Sequence, residues 1–140
     1  MNDDEVLDWG RRKLRFLITP HVPHAWDAIL AYEETTGTLL ASDLSTVFGE
    51  PPPTTESDVV EPAMAVLNVF PDYLPIGSHT GRVFDRLEAL KPKVLAGHHA
   101  PALHRRWGGC AARPAAGAIR KNPLAFSVFS PRCPGCLPRL

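Results

Sequence analysis

No acidic residue follows Glu88 in this chain of 140 residues, although residues 105–139 contribute seven basic ones. The sequence also lacks any run of about 18 apolar residues, which is the length that a membrane span requires. Its first residues include Asp3, Asp4 and Glu5, whereas a signal peptide opens with basic residues. We therefore expect a cytoplasmic protein with no membrane partner, in which the basic tail is distinct from the rest of the chain.

Cysteine is scarce, and its distribution excludes a framework of paired disulfides. The three cysteines, Cys110, Cys133 and Cys136, are an odd number and all lie in the tail. Cys133 and Cys136 have the spacing of a zinc knuckle, but a structural zinc site needs four ligands and only Cys110 and His104 lie nearby. The tail also lacks aromatic residues interleaved with its basic ones, so nucleic-acid binding is not favoured.

Hydrophobic residues make up 44% of the sequence, which suffices for the core of one domain. Short apolar segments bounded by turn residues predict strands, and apolar residues at helical spacing predict helices. The predicted strands are 13–19, 26–32, 38–41 and 94–96, with a hairpin turn at 34–37. The predicted helices run from a Ser57 cap to the residue before Pro71, and from a Ser78 cap to Pro92. This pattern indicates an α/β domain over residues 1–102 and an irregular or disordered tail over 103–140.

Histidine and aspartate follow three of the predicted strands. His24 comes after the first strand, Asp43 after the third and His99 after the last. Strand ends that gather such side chains on one rim are suited to bind metal, because rigid elements fix the ligand positions. His21 and His98 lie beside them and are candidates for orienting the ligands. The alternative is structural: an Asx turn at Asp43, and turn or loop histidines elsewhere.

The stretch from Leu14 to Gly49 resembles the middle of metallo-β-lactamase-superfamily proteins, in the branch near the flavodiiron oxygen reductases. There a ligand histidine after a proline is followed, nineteen positions later, by a ligand aspartate, and His24 and Asp43 have this spacing. The segment LAGHHA (95–100) is similar to the motif of the last ligand and selects His99. The resemblance covers residues 14–102. It implies the C-terminal half of an αββα sandwich, in which Asp43 bridges two divalent ions, zinc or iron.

The sequence departs from this family in its first ligands. The His-x-[His/Glu]-x-Asp-His segment that supplies them does not occur here. The resemblance therefore implies a truncated metalloprotein with a half-complete metal shell and an apolar sheet face open to solvent. We expect a fragment derived from a dinuclear hydrolase or a di-iron oxidoreductase, inactive by itself and with unknown catalytic residues. The alternatives are an enzyme subunit completed by an N-terminal half chain, or a non-catalytic interaction module. The expected partner is an N-terminal half chain or a second copy in a homo-oligomer.

The tail departs from the family as well. Charge and periodicity change together near Leu103, where the family continues with a Gly-Asp turn and an amphipathic helix. Permitted codons for residues 103–121, read one nucleotide out of register, allow YTGDGAAALLDLLREQYEK, which has these features. We therefore hypothesise a frameshift that begins near Leu103. The nucleotide sequence tests it.

Overall fold

The computed structural model describes residues 1–24, 26–75 and 77–104, apart from the side chain of Pro71. In these ranges the chain forms strands β1 Val6–Asp8, β2 Lys13–Ile18, β3 Ile29–Glu33, β4 Thr38–Leu40, β5 Thr54–Thr55, β6 Val94–Ala96 and β7 Ala102–His104. Helix α1 is Val60–Val69, a 3₁₀ turn spans Pro71–Tyr73, and helix α2 is Thr80–Ala89. None of these helices is long and apolar enough to cross a bilayer.

All seven strands belong to one mixed sheet with the order β1-β2-β3-β4-β6-β7-β5. Strands β1 to β4 form an antiparallel meander, and β6 then lies parallel to β4 after a crossover that contains both helices. Strand β7 is antiparallel to β6, and β5 is parallel to β7. Strands β2, β4 and β6 therefore run in the same direction, and their carboxyl ends meet at one edge of the sheet.

The β3–β4 hairpin is fixed by Glu33 at the end of its first strand. The Glu33 carboxylate accepts hydrogen bonds from the backbone N–H of Thr35 and of Thr36 and from the Thr36 hydroxyl, and it pairs with Arg12 at 3.3 Å. These donors, the Thr36 hydroxyl above all, lower the pKa of Glu33 to about 2. Gly37 completes the turn with a φ of +71°, a conformation that side chains disfavour.

The core lies between one face of the sheet and helix α2. Alternate residues on the strands are buried on this face, and Val83, Phe84 and Leu87 of α2 join the same cluster. The strand residues of the cluster are Leu17, Leu30, Leu39, Leu95 and Leu103. Because neighbouring residues on a strand point to opposite faces, the residues between them form a second face that neither helix covers.

The fold confirms the α/β prediction, and β2, β4, β6 and α1 lie where the sequence predicted them. Strand β3 begins at Ile29, three residues later than predicted, because residues 26–28 close a loop instead. Strands β1, β5 and β7 were not predicted. They are only two or three residues long, which is too short for a hydrophobic pattern to mark them.

Both predicted helix caps were wrong. The N–H of Val60 is satisfied by the carboxylate of Asp58 at 2.9 Å rather than by Ser57. Helix α2 begins after His79, which makes no capping hydrogen bond through its side chain, so Ser78 is not the cap either. Instead, the Thr80 hydroxyl accepts the N–H of Gly77 at 2.9 Å and ties the first turn of α2 to the preceding loop.

The domain boundary after residue 102 stays a prediction. Strand β7 crosses it and ends at His104. Residues 105–140, which contain the three cysteines and most of the proposed frameshift, lie outside the described residues.

Candidate metal centre

The loops that follow β2, β4 and β6 bring the predicted ligands together. The His24 Nε2 atom lies 3.1 Å from Oδ2 of Asp43, and the His99 Nε2 atom lies 3.8 Å from Oδ1 of the same carboxylate. The Nδ1 atom of His98 is 3.5 Å from that Oδ1. Residues far apart in the sequence thus converge on Asp43 because their strands are mutually parallel. The two carboxylate oxygens face different histidines.

The Asp43 carboxylate is buried on one side and incompletely paired. Its side chain is 15% exposed, and its Oδ1 atom is buried without a hydrogen-bond partner among the described residues. A buried carboxylate oxygen without a donor is costly, so such an atom needs a donor or a cation. The side chains of His24 and His99, by contrast, are 53% and 71% exposed and leave room for further ligands.

The loop that carries His24 is held closed by its own hydrogen bonds. The hydroxyl of buried Thr19 donates to the carbonyl of Val22 at 2.6 Å, and the Thr19 N–H donates to the carbonyl of Ala28 at 2.9 Å. His21 and Trp26, on either side of His24, have φ values of +62° and +81°. Non-glycine residues adopt this region at an energetic cost, which is often tolerated at functional sites.

The loops of Asp43 and His99 are joined through their backbones. The N–H of His98 donates to the carbonyl of Ser42 at 2.8 Å, and the N–H of Val47 donates to the carbonyl of His99 at 2.9 Å. Ser42 has a φ of +49°. Gly97 allows the two loops to lie this close, because a Cβ at that position would lie 3.0 Å from the Ser45 hydroxyl and 3.2 Å from the Ser42 carbonyl.

Tyr73, which sequence reasoning missed, supports both His24 and Asp43. Its hydroxyl donates to the backbone carbonyl of Asp43 at 2.9 Å and lies 2.6 Å from the Thr46 hydroxyl, and its ring centroid is 5.3 Å from that of His24. Burial raises the pKa of Tyr73, and the charge of Asp43 adds to the effect, whereas the Thr46 hydrogen bond opposes it. The phenol therefore stays protonated at neutral pH. Its position after a proline in a 3₁₀ turn carries no signal that reveals this role.

The two candidate orienting histidines occupy different places. His21 accepts the N–H of Trp26 on its Nδ1 atom at 3.0 Å, and its ring lies 4.9 Å from that of His79. His98 lies nearer to Asp43 than His99 does, so these distances do not separate the ligand from its neighbour. The assignment of His99 as ligand and of His21 and His98 as orienting residues stays a prediction.

In the described part of the chain, no group of three or more His, Cys, Asp or Glu side chains is arranged to hold a metal ion. His24 and His99 approach different oxygens of Asp43 rather than a common point. The donor set fits two ions that share Asp43, each with one imidazole and one carboxylate oxygen. Both ions would need further ligands.

No family model and no curated protein matches this sequence. Solved structures do match it. A flavo di-iron protein variant from Thermotoga maritima has a TM-score of 0.60 and 21% identity, over 75% of this chain and 27% of its own. The chemotaxis sensor ODP from T. denticola has a TM-score of 0.60 and 12% identity, over 72% and 42%. The Flv1 flavodiiron core from Synechocystis has a TM-score of 0.59 and 22% identity, over 74% and 26%.

The fold is therefore a partial metallo-β-lactamase fold, and the resemblance found in the sequence is confirmed at the level of the fold. Structures that share this fold include flavodiiron proteins and a peroxy diiron species of the chemotaxis sensor ODP. This chain spans less than half the length of each of them. Their names specify iron rather than zinc.

Proposed function

We propose that this chain contributes His24, Asp43 and His99 to a dinuclear iron centre. The observation that supports the proposal best is the arrangement of Asp43, whose Oδ2 faces His24 while its unpaired Oδ1 faces the histidines after β6. A carboxylate that bridges two cations needs this division of its oxygens. A purely structural aspartate in a turn would have both oxygens paired.

The chain's own residues would hold and orient the ions. Asp43 would bridge them, His24 would bind one and His99 the other, and Tyr73 would fix the backbone of Asp43. Two iron ions bound by these residues would supply redox chemistry toward small oxygen-containing molecules. One copy supplies three of the ligands, and no His-x-[His/Glu]-x-Asp-His segment occurs in the sequence. We therefore propose that a single copy of this chain is inactive, and that the remaining metal ligands come from another polypeptide segment.

The names of the structural neighbours favour iron and a di-iron oxidoreductase over zinc and a hydrolase. The same proposal places the protein in the cytoplasm, where cysteines that form no disulfide framework are usual.

Anaerobic reconstitution with Fe(II) tests the proposal. We expect wild-type protein to retain iron after desalting, and the Asp43→Asn variant to bind it at least tenfold more weakly, because the side chain loses its charge and one of its two oxygens. Asp85→Asn, an exposed aspartate on α2, is the matched control and should bind iron like wild type. The assay measures iron per chain by elemental analysis. Equal iron in wild type and Asp43→Asn would contradict the proposal.

A second candidate function is a non-catalytic interaction module, and the sheet face left uncovered by the helices favours it. This candidate predicts that the affinity for the partner is unchanged by iron and by the Asp43→Asn substitution. The reconstitution experiment separates the two functions, because only the first requires an intact carboxylate.

A further inference from the structure

The face of the sheet opposite the helices is apolar across four adjacent strands, β2, β3, β4 and β6. Phe16, Ala31, Leu40 and Ala96 stand in one row of paired residues from β2 to β6. A second row pairs Ile18 with Ile29. Ile29, the first residue of β3, is 47% exposed, and Leu40, the last residue of β4, is 45% exposed. Large apolar side chains in register on an uncovered face are typical of an interface.

Charge on this face is already neutralised. Glu33 points to the same side as Ala31, and it is 9% exposed and paired with Arg12 and the hydroxyl of Thr36. An identical face would therefore meet no uncompensated carboxylate in the strands. Self-association is not opposed by like charges, which is a requirement for a symmetric interface in which each patch meets itself.

We propose that a second copy of this chain covers the open face, with the twofold axis parallel to the strands. Two sheets packed face to face lie about 10 Å apart with their strands nearly aligned. An axis in this direction leaves the strands of both copies running the same way. The carboxyl ends of β2, β4 and β6 of the two copies then meet at one end of the sandwich, and each copy's Asp43 faces that of its partner.

The ligand count, which rests on the proposed function, supports a second copy as the occupant. One copy offers two imidazoles, from His24 and His99, and one carboxylate, from Asp43. Two copies offer four imidazoles and two carboxylates. Two ions bridged by both carboxylates would then each have two nitrogens and two oxygens, which is a complete four-coordinate shell. The dimer would thus finish a site that a single copy leaves half complete.

The interface is tested first without metal, by sedimentation of metal-free protein at about 100 μM, well above the Kd of a micromolar dimer. We expect wild type to be dimeric and both Leu40→Glu and Ile29→Glu to be monomeric, with circular dichroism confirming that they fold. Val69→Glu, an exposed apolar residue on α1, is the matched control and should remain dimeric. A monomeric wild type overturns the proposal, and so does a dimer that persists in both face variants.

Iron binding then tests whether the two copies share the site. We expect two iron ions per wild-type dimer, and at least tenfold weaker iron binding by the folded Leu40→Glu monomer, although all three ligands remain. Equal affinity in dimer and monomer overturns the sharing of ligands. If wild type forms a dimer that the face variants disrupt but this dimer binds no iron, the interface is supported and the proposed function is refuted. The two failures are therefore distinguishable.

Discussion

The hairpin β3–β4 carries an acidic residue near each end, and the two carboxylates differ in their hydrogen-bond partners. Glu33, at the turn, has donors for both oxygens and a neighbouring arginine. Asp43, beyond the far end of β4, has a buried oxygen without a donor and is surrounded by imidazoles. The comparison separates a carboxylate that stabilises the fold from one that is suited to bind a cation.

The largest expected effect is on stabilisation by metal. A ligand that binds only the folded state at a hundredfold excess over its Kd adds about 2.7 kcal/mol to the free energy of unfolding. We expect Fe(II) to stabilise wild type in this way, to stabilise Glu33→Gln equally, and to stabilise Asp43→Asn by about 1.4 kcal/mol or less, because a tenfold loss of affinity leaves only a tenfold excess over its Kd. Urea denaturation with and without Fe(II) under anaerobic conditions measures it. Equal stabilisation of wild type and Asp43→Asn by Fe(II) would remove the distinction between the two carboxylates.

Gly37 lies in the turn beside Glu33 and Gly97 lies beside the Asp43 loop, so substitutions of these glycines test the same comparison. Gly97→Ala crowds the junction between the Asp43 and His99 loops and should cost about 1–3 kcal/mol, as overpacking does. Gly37→Ala forces a side chain into the left-handed region at the turn and should cost about 1–2 kcal/mol. Urea denaturation measures both losses. Only Gly97→Ala should also weaken iron binding. Weaker iron binding by Gly37→Ala would contradict a structural role for the turn and a metal-binding role for the Asp43 loop.

Acid titration isolates the structural carboxylate. The pKa of Glu33 is lowered from 4.5 to about 2 in the folded state, so its contribution is complete above pH 4.5 and is lost as the pH falls toward 2. Protonation of the unfolded chain in that window drives the loss. We expect Glu33→Gln to be less stable than wild type at neutral pH, and the difference to shrink between pH 4.5 and 2. Urea midpoints across this range measure it, and a constant difference would contradict the assignment.

The sequence predicted that the candidate ligands lie together at one end of the sheet, because the signals for this arrangement are local. His24, Asp43 and His99 each follow a short apolar run, and the strand directions implied by a hairpin and a crossover place these ends together. The resemblance to the metallo-β-lactamase superfamily supplied the nineteen-residue spacing. Local patterns also revealed the helix stops before Pro71 and Pro92, since proline cannot continue a helix there.

What the sequence could not predict depends on contacts between distant segments. The unpaired state of Oδ1 in Asp43 is a property of the assembled loops, not of any motif. The edge strand β5 has two residues and exists only because it pairs with β7. Tyr73 reaches Asp43 across thirty positions, and no repeating pattern connects them.

The smallest expected effect concerns Tyr73, which belongs to the metal end of the comparison but not to the ligands. Tyr73→Phe removes a hydroxyl that donates to the Asp43 carbonyl, while the Thr46 hydroxyl continues to donate to that carbonyl at 3.0 Å. Because the hydroxyl and the backbone N–H of Thr46 both remain as donors, the latter at 3.3 Å, we expect a loss of about 0.5–1.5 kcal/mol in the free energy of unfolding. The phenyl ring should keep its contact with His24.

Thr46→Val is the matched control for Tyr73→Phe, since it removes the other side-chain donor to the same carbonyl. If these hydroxyls fix the backbone of Asp43, each single variant should weaken iron binding slightly and the double variant by more than the sum, because the carbonyl then keeps only the backbone N–H of Thr46, at 3.3 Å. Denaturation and iron titration of the four proteins measure the coupling. Strict additivity would show that the two hydroxyls act independently, and that Asp43 is positioned by its strand alone.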